Sequence, residues 1–206
     1  MGGMFNIDSP VMNTLTKITN IIIINLCFII SCIPVITIGA AITAMYSVNL
    51  KMVRDEETYI FSFYWKAFRR NFIQSTVCWG LVVAAGSLLF FDFRFIGNME
   101  GVIKNVFYVV ITASIIVYCV ITIYVFPYIA RFEDKLGTCI KNSFIIGGAN
   151  IGYTIIIMLI TLASLLITFY NPRIMLRALF IWIMGGFALL SFINSFFLRK
   201  VFDKYK

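Results

Sequence analysis

Residues 18–50, ITNIIIINLCFIISCIPVITIGAAITAMYSVNL, run for 33 positions between Lys17 and Lys51 without one charged side chain. A helix that crosses the hydrocarbon layer of a bilayer needs about 20 mostly apolar residues, and a charge at its centre costs on the order of 3 kcal/mol. The same signature recurs at Asn71–Phe91, Asn105–Ala130, Asn142–Pro172 and Ala178–Leu198, so that uncharged stretches cover 132 of the 206 residues. The pattern specifies an all-α protein, a polytopic transmembrane helical bundle of about five spans forming a single membrane domain.

Composition agrees. The chain is 61% hydrophobic and 13% charged, with a mean hydropathy of +0.96, whereas soluble domains are about 45–50% apolar and about 25% charged. Runs such as Ile21–Ile24 and Ile155–Ile157 would aggregate if exposed to water. The net charge of +8 is carried by short loops between apolar stretches, as the positive-inside rule expects, so no nucleic-acid partner is inferred. There is no His and no C-x-x-C among Cys27, Cys32, Cys78, Cys119 and Cys139. Most zinc sites, His acid–base catalysis and His-ligated haem are thereby excluded. No catalytic residue, cofactor or metal site is expected, and the chain is read as a non-enzyme.

The charge gaps place spans near 18–38, 72–91, 106–129, 151–170 and 178–198. The first gap is longer than one span needs. Pro34 removes a backbone donor and Gly39 loosens a helix further. Three arrangements stay open for 18–50: one kinked helix, a span followed by a short interfacial helix over Ala40–Leu50, or a re-entrant hairpin. Lys17 with Gly39-Ala40-Ala41 loosely resembles a signal peptide, and Ile29-Ile30-Ser31-Cys32 a lipoprotein box; the apolar run continues past both, so neither cleavage is expected. With five spans, the 51–70 and 131–141 loops and the C-terminal tail share the side richer in Lys and Arg, which is therefore expected to be cytoplasmic; a hairpin would bring the N-terminus to the same side.

The segment around residues 56–71 carries an aromatic stripe, Phe61, Tyr64, Trp65, Phe68 and Phe72, at helical spacing. Lys66, Arg69 and Arg70 occupy the remaining surface, and Asp55, Glu56 and Glu57 precede it. This is the pattern of an amphipathic helix lying in the membrane interface. It is either an anchor or a docking surface, with Arg54, Asp55, Glu56, Glu57, Trp65, Phe68, Arg69, Arg70, Asn71 and Gln74 as candidate docking residues. Within the apolar stretches, Asn25, Pro34, Gly39, Gly148, Gly152 and Asn194 are candidate helix-packing positions, because small and amide residues mediate helix contacts in membranes. The Gly148/Gly152 pair is equally compatible with homo-oligomerisation. The spans lack Asp, Glu, Lys and Arg, which argues against a stand-alone ion-coupled pump.

Several of these segments together, Phe5-Asn6-Ile7-Asp8-Ser9-Pro10, Asn25-Leu26, Pro34-Val35-Ile36-Thr37-Ile38-Gly39-Ala40, Arg54-Asp55-Glu56-Glu57 and Phe68-Arg69-Arg70-Asn71-Phe72-Ile73-Gln74, resemble the YesL-like family of small bacterial membrane proteins. The resemblance is strong over residues 4–80 and thins afterwards to Phe126-Pro127 and Arg131-Phe132-Glu133. It implies a protein of the bacterial cytoplasmic (inner) membrane of uncharacterised function. By the genomic company such proteins keep, it also implies an accessory role beside carbohydrate ABC importer subunits or a sensor kinase. A small transporter or permease-like subunit is the alternative. The family supplies no catalytic or binding residues.

Overall fold

The computed structural model describes residues 10–56, 59–97 and 100–205. Among the described residues eight α-helices follow one another: α1 (Pro10–Ser31), α2 (Ile38–Val53), α3 (Ile60–Ile96), α4 (Gly101–Arg131), α5 (Leu136–Ala149), α6 (Ile151–Phe169), α7 (Pro172–Ile181) and α8 (Phe187–Phe202). No strand occurs among the described residues. Six segments of the described residues are long and apolar enough to cross a membrane: Thr14–Ser31, Val35–Val53, α3, α4, α6 and Pro172–Tyr205. The chain is a multi-pass membrane protein built as a helical bundle.

The sixth segment lies in the 18–50 stretch, which is a helical hairpin and supplies two membrane-length helices where the five-span count assigned one. Pro34 adopts an extended conformation (φ −78°, ψ 115°) and starts a single 3-10 turn, Val35–Thr37. The Thr37 hydroxyl closes that turn, donating to the Ser31 carbonyl at 2.6 Å with the Pro34 carbonyl at 2.7 Å. Charge counting misses such a turn because it contains no charge. The returning helix α2 is buried along most of its length and is rich in Gly, Ala and Ser, which makes it a central packing helix rather than a lipid-facing one.

The amphipathic segment is the first part of α3 and leads without a break into the following span through Asn71 and Phe72. No Gly or Pro lies between Ile60 and Trp79, so nothing interrupts the hydrogen-bond ladder. With 37 residues, α3 extends about 55 Å at 1.5 Å per residue, well beyond the ~30 Å hydrocarbon layer.

Two apolar clusters form the interior. One joins α1, α2 and the start of α3 around Ile24, Val48 and Tyr64. The other joins α3, α4, α5, α6 and α8 around Tyr124, Ile157 and Phe202. Gly39 lets α2 meet α3, since a Cβ there would collide with the Ser75 carbonyl and Trp79. Gly147 does the same for α5 against Val120 and Tyr124 of α4. Gly148 and Gly152, the pair singled out by sequence, face open space instead, so the close intramolecular approach falls one residue earlier.

Between α7 and α8 the helix is broken at Gly185 (φ 176°, ψ 0°) inside a five-residue π-turn, Trp182–Gly186. A break in lipid strands backbone groups that no water can satisfy. Asn25 of α1 meets them with both ends of its amide. Its nitrogen donates to the Trp182 and Ile183 carbonyls (2.9 and 2.8 Å), and its oxygen accepts from the Ala188 N–H (3.1 Å). Asn25 is fully buried.

Two outcomes follow from this architecture. Tags placed before α1 and after Tyr205 will be accessible from the same face of inside-out vesicles; accessibility from opposite faces would restore the five-span topology. Asn25→Leu will lower stability by about 2–3 kcal/mol in a denaturant titration of the purified protein, because it strands three backbone groups at once, while Thr19→Leu, at an exposed position of the same helix, will change it little.

Candidate functional site

The start of α1, the end of α2, the start of α3, the end of α4 and the end of α8 meet at one end of the bundle, where charge concentrates. Among the 16 described Lys and Arg residues, only Arg94, Lys104, Arg173 and Arg177 lie at the opposite end. At the centre stands Asp203, in the last turn after α8. Its carboxylate is 2.7 Å from Arg54 at the end of α2, 4.0 Å from Arg131 at the end of α4 and 3.7 Å from Arg199 one turn back on α8. The Arg54 side chain is only 10% exposed and also approaches Glu56 at 3.9 Å. Arg199 in addition donates to the Val53 carbonyl at 2.7 Å, occupying one of the unpaired carbonyls at the end of α2. Three helices therefore end on one carboxylate.

The chain after α2 turns sharply through Asp55, the single described non-glycine residue with positive φ (55°), a conformation that Asp and Asn adopt more readily than most residues. The Asp55 carboxylate takes a 2.8 Å bond from Lys17 of α1. The Lys17 ammonium holds the Asp55 carboxyl below its usual range, through the hydrogen bond first and charge second. On the other flank, Arg70 of α3 pairs with Glu133 at 3.2 Å, and the Gln74 amide donates to the Asp134 carbonyl (2.7 Å) with Cys139 Sγ at 3.2 Å. Tyr128 donates to Asp134 Oδ2 at 2.6 Å and accepts from Asn142 at 2.7 Å. These bonds tie the α4–α5 loop to α3 and α4.

The sequence-derived docking residues separate into two groups. Arg54, Asp55, Glu56, Arg70 and Gln74 are engaged within the molecule as described. Asn71 is buried and bonds back to the Ala67 carbonyl at 3.1 Å. Trp65 and Phe68 are half-buried, and the stripe they belong to turns inward: Tyr64 is fully buried, and Tyr64, Trp65 and Phe68 pack edge-to-face or stacked on one another against the α1–α2 hairpin. Glu57 lies outside the described residues. What remains open is a ridge on the outer side of α3, where Lys66, Arg69 and Arg70 stand between Phe61 (62% exposed) and Ile73 (78% exposed). Lys66 and Arg69 make no ion pair among the described residues. Sequence reasoning missed Asp203, Arg131 and Arg199. The available signal was a lone acid inside the basic tail Arg199-Lys200-Val201-Phe202-Asp203-Lys204.

No group of three or more His, Cys, Asp or Glu able to hold a metal occurs among the described residues. Burial first, and the neighbouring Asp134 second, push the Cys139 thiol up to about 11, which keeps it protonated and unreactive at neutral pH.

A family model described as "Protein of unknown function, DUF624" matches residues 21–93. The match runs from within α1 through most of α3, and so includes Asn25, the Pro34 turn and Arg54–Gln74, but not Arg131 or Asp203. No curated protein and no solved structure matches the chain.

Asp203→Asn will lower the melting temperature by a few degrees, since it leaves three arginines, one of them nearly buried, sharing only Glu56. Asp92→Asn, at the opposite end, will leave it within a degree or so. Equal effects would mean that the arginine cluster is not a stabilising node.

Proposed function

We propose that this multi-pass membrane protein, similar over residues 21–93 to a family of unknown function, is a non-enzymatic accessory or regulatory component associated with carbohydrate ABC import in the bacterial cytoplasmic membrane. Its charged end faces the cytoplasm and its partner docks on the outer ridge of α3. The YesL-like resemblance supports the physiological setting. The observation that carries the docking surface is the ridge itself: Lys66 and Arg69 are exposed and unpaired between exposed Phe61 and Ile73, on a helix whose opposite face is fixed by packing. A basic ridge with apolar residues at both ends is suited to an acidic, partly apolar partner surface. The orientation follows from the imbalance of Lys and Arg between the two ends. Lys17 now counts with the majority, because the hairpin brings it beside Asp55.

The test is a mild-detergent pull-down of the tagged protein from its native host, with co-purified proteins identified by mass spectrometry. Recovery of an importer subunit or a sensor kinase, reduced at least fivefold by Lys66→Glu with Arg69→Glu at unchanged expression, is the expected result. A stable protein recovered alone, or a partner unaffected by the double change, would overturn the docking role and direct attention to uptake by reconstituted vesicles, the assay for the transporter alternative.

A further inference from the structure

Between α1, α2, α3, α4, α6 and α8, inside the spans, lies a cavity of about 360 Å³, within the roughly 300–1,000 Å³ of ligand pockets. No charged residue lines it. Most of its wall is hydrocarbon and aromatic, with Phe28, Trp79, Phe126 and Phe187 among its lining residues. Polar groups gather on one side. Asn194 of α8 is buried (3% exposed), and its amide nitrogen reaches Thr161 of α6 at 3.3 Å. The Asn194 carboxamide oxygen has no hydrogen-bond partner. The Tyr46 hydroxyl of α2 lies beside Asn194 and Ser191. Behind Ser191, Asn49 donates to the Ser191 hydroxyl at 2.9 Å, and its own oxygen is likewise unpartnered.

A buried carbonyl oxygen without a donor is costly in a membrane interior, so this one calls for a molecule that donates a hydrogen bond. We propose that the cavity binds the hydroxyl end of an uncharged, membrane-dissolved alcohol, with a hydrocarbon body lying along the aromatic wall. One hydroxyl satisfies both partners on this side, donating to Asn194 Oδ1 and accepting from Tyr46. An anion or cation would enter without a counter-charge and at a large desolvation cost. A sugar would set many hydroxyls against hydrocarbon with too few partners. The half-buried Thr122 and Ile123 of α4 and Thr161 of α6 mark the side on which the cavity is incompletely covered, and both helices are lipid-exposed spans. The inference is independent of the α3 ridge.

The probe is diazirine-tagged hexadecanol, photocrosslinked to the purified full chain in phosphatidylcholine nanodiscs, with labelled peptides mapped by mass spectrometry. Saturable labelling of the cavity-lining parts of α4, α6 and α8 is expected, competed by hexadecanol but not by hexadecyl methyl ether, which can accept from Tyr46 but cannot donate to Asn194. Asn194→Leu will weaken labelling about tenfold, and Ile123→Trp, which fills the cavity from α4 and leaves Asn194 in place, will abolish it. Equal competition by the methyl ether, labelling unchanged in Ile123→Trp, labels confined to outward faces, or protection by a disaccharide would each overturn the proposal. The ether comparison is made on the unmodified protein and stands even if Asn194→Leu does not fold.

Discussion

The carboxylate of Asp203 is the point on which the charged end of the molecule closes. Without it, Arg54, Arg131 and Arg199 would bring three positive charges together at the ends of α2, α4 and α8, and mutual repulsion would open the contact that the apolar cluster around Phe202 needs. A surface ion pair contributes little in water. This one differs because Arg54 is 10% exposed and because Arg199 simultaneously satisfies the last turn of α2 through the Val53 carbonyl. Charge neutralisation and helix capping thus act at one place, and the neighbouring pairs Lys17–Asp55 and Arg70–Glu133 fix α1 and the α4–α5 loop relative to it.

The membrane interior is held by a different rule. Apolar side chains gain little by leaving lipid for one another, so shape and polar satisfaction decide which helices touch. Gly39 and Gly147 permit close backbone approach, and the Asn25 amide spans the break at Gly185. The break is what lets α7 and α8 follow different directions within a segment that hydropathy alone reads as one span. Asn25 and Gly185–Gly186 are consequently a single device separated by 160 residues, in which neither part is intelligible without the other.

That separation explains what could be read from the sequence. Helical class, membrane insertion and the amphipathic spacing of Phe61, Tyr64, Trp65 and Phe68 are local properties, visible in runs and periodicity. Spacing does not say which side of a helix faces inward, so an aromatic stripe suited to a lipid or partner surface is in fact packed on the α1–α2 hairpin, leaving the basic side open. The hairpin is one of three arrangements that Pro34 and Gly39 leave open for 18–50, and charge spacing does not select it because its turn at Pro34 carries no charge. Asp203 is illegible for the converse reason: a solitary acid in a basic tail is visible locally, but its importance comes from Arg54 of α2 and Arg131 of α4, remote in sequence.

The two ends of the bundle differ in cohesion. Beyond Val82 and Tyr118, α3 and α4 continue as a bare hairpin, held together by the Tyr118 hydroxyl on the Val82 carbonyl (3.2 Å), by Gly86 beneath that ring and by Phe93 against Tyr108. Phe90, Phe91, Phe95 and Val109 on it are exposed. In water such a hairpin would collapse onto the rest of the protein, whereas hydrocarbon removes the driving force for collapse. The fold can therefore be firm at its charged end and open at the other, and cavities between α4 and α6 can persist because lipid, unlike water, exerts no pressure to close apolar gaps by association. What closes them must instead be a matching molecule or a polar contact, which is why an unpartnered amide oxygen such as that of Asn194 carries more information in this setting than the same atom would in a soluble core.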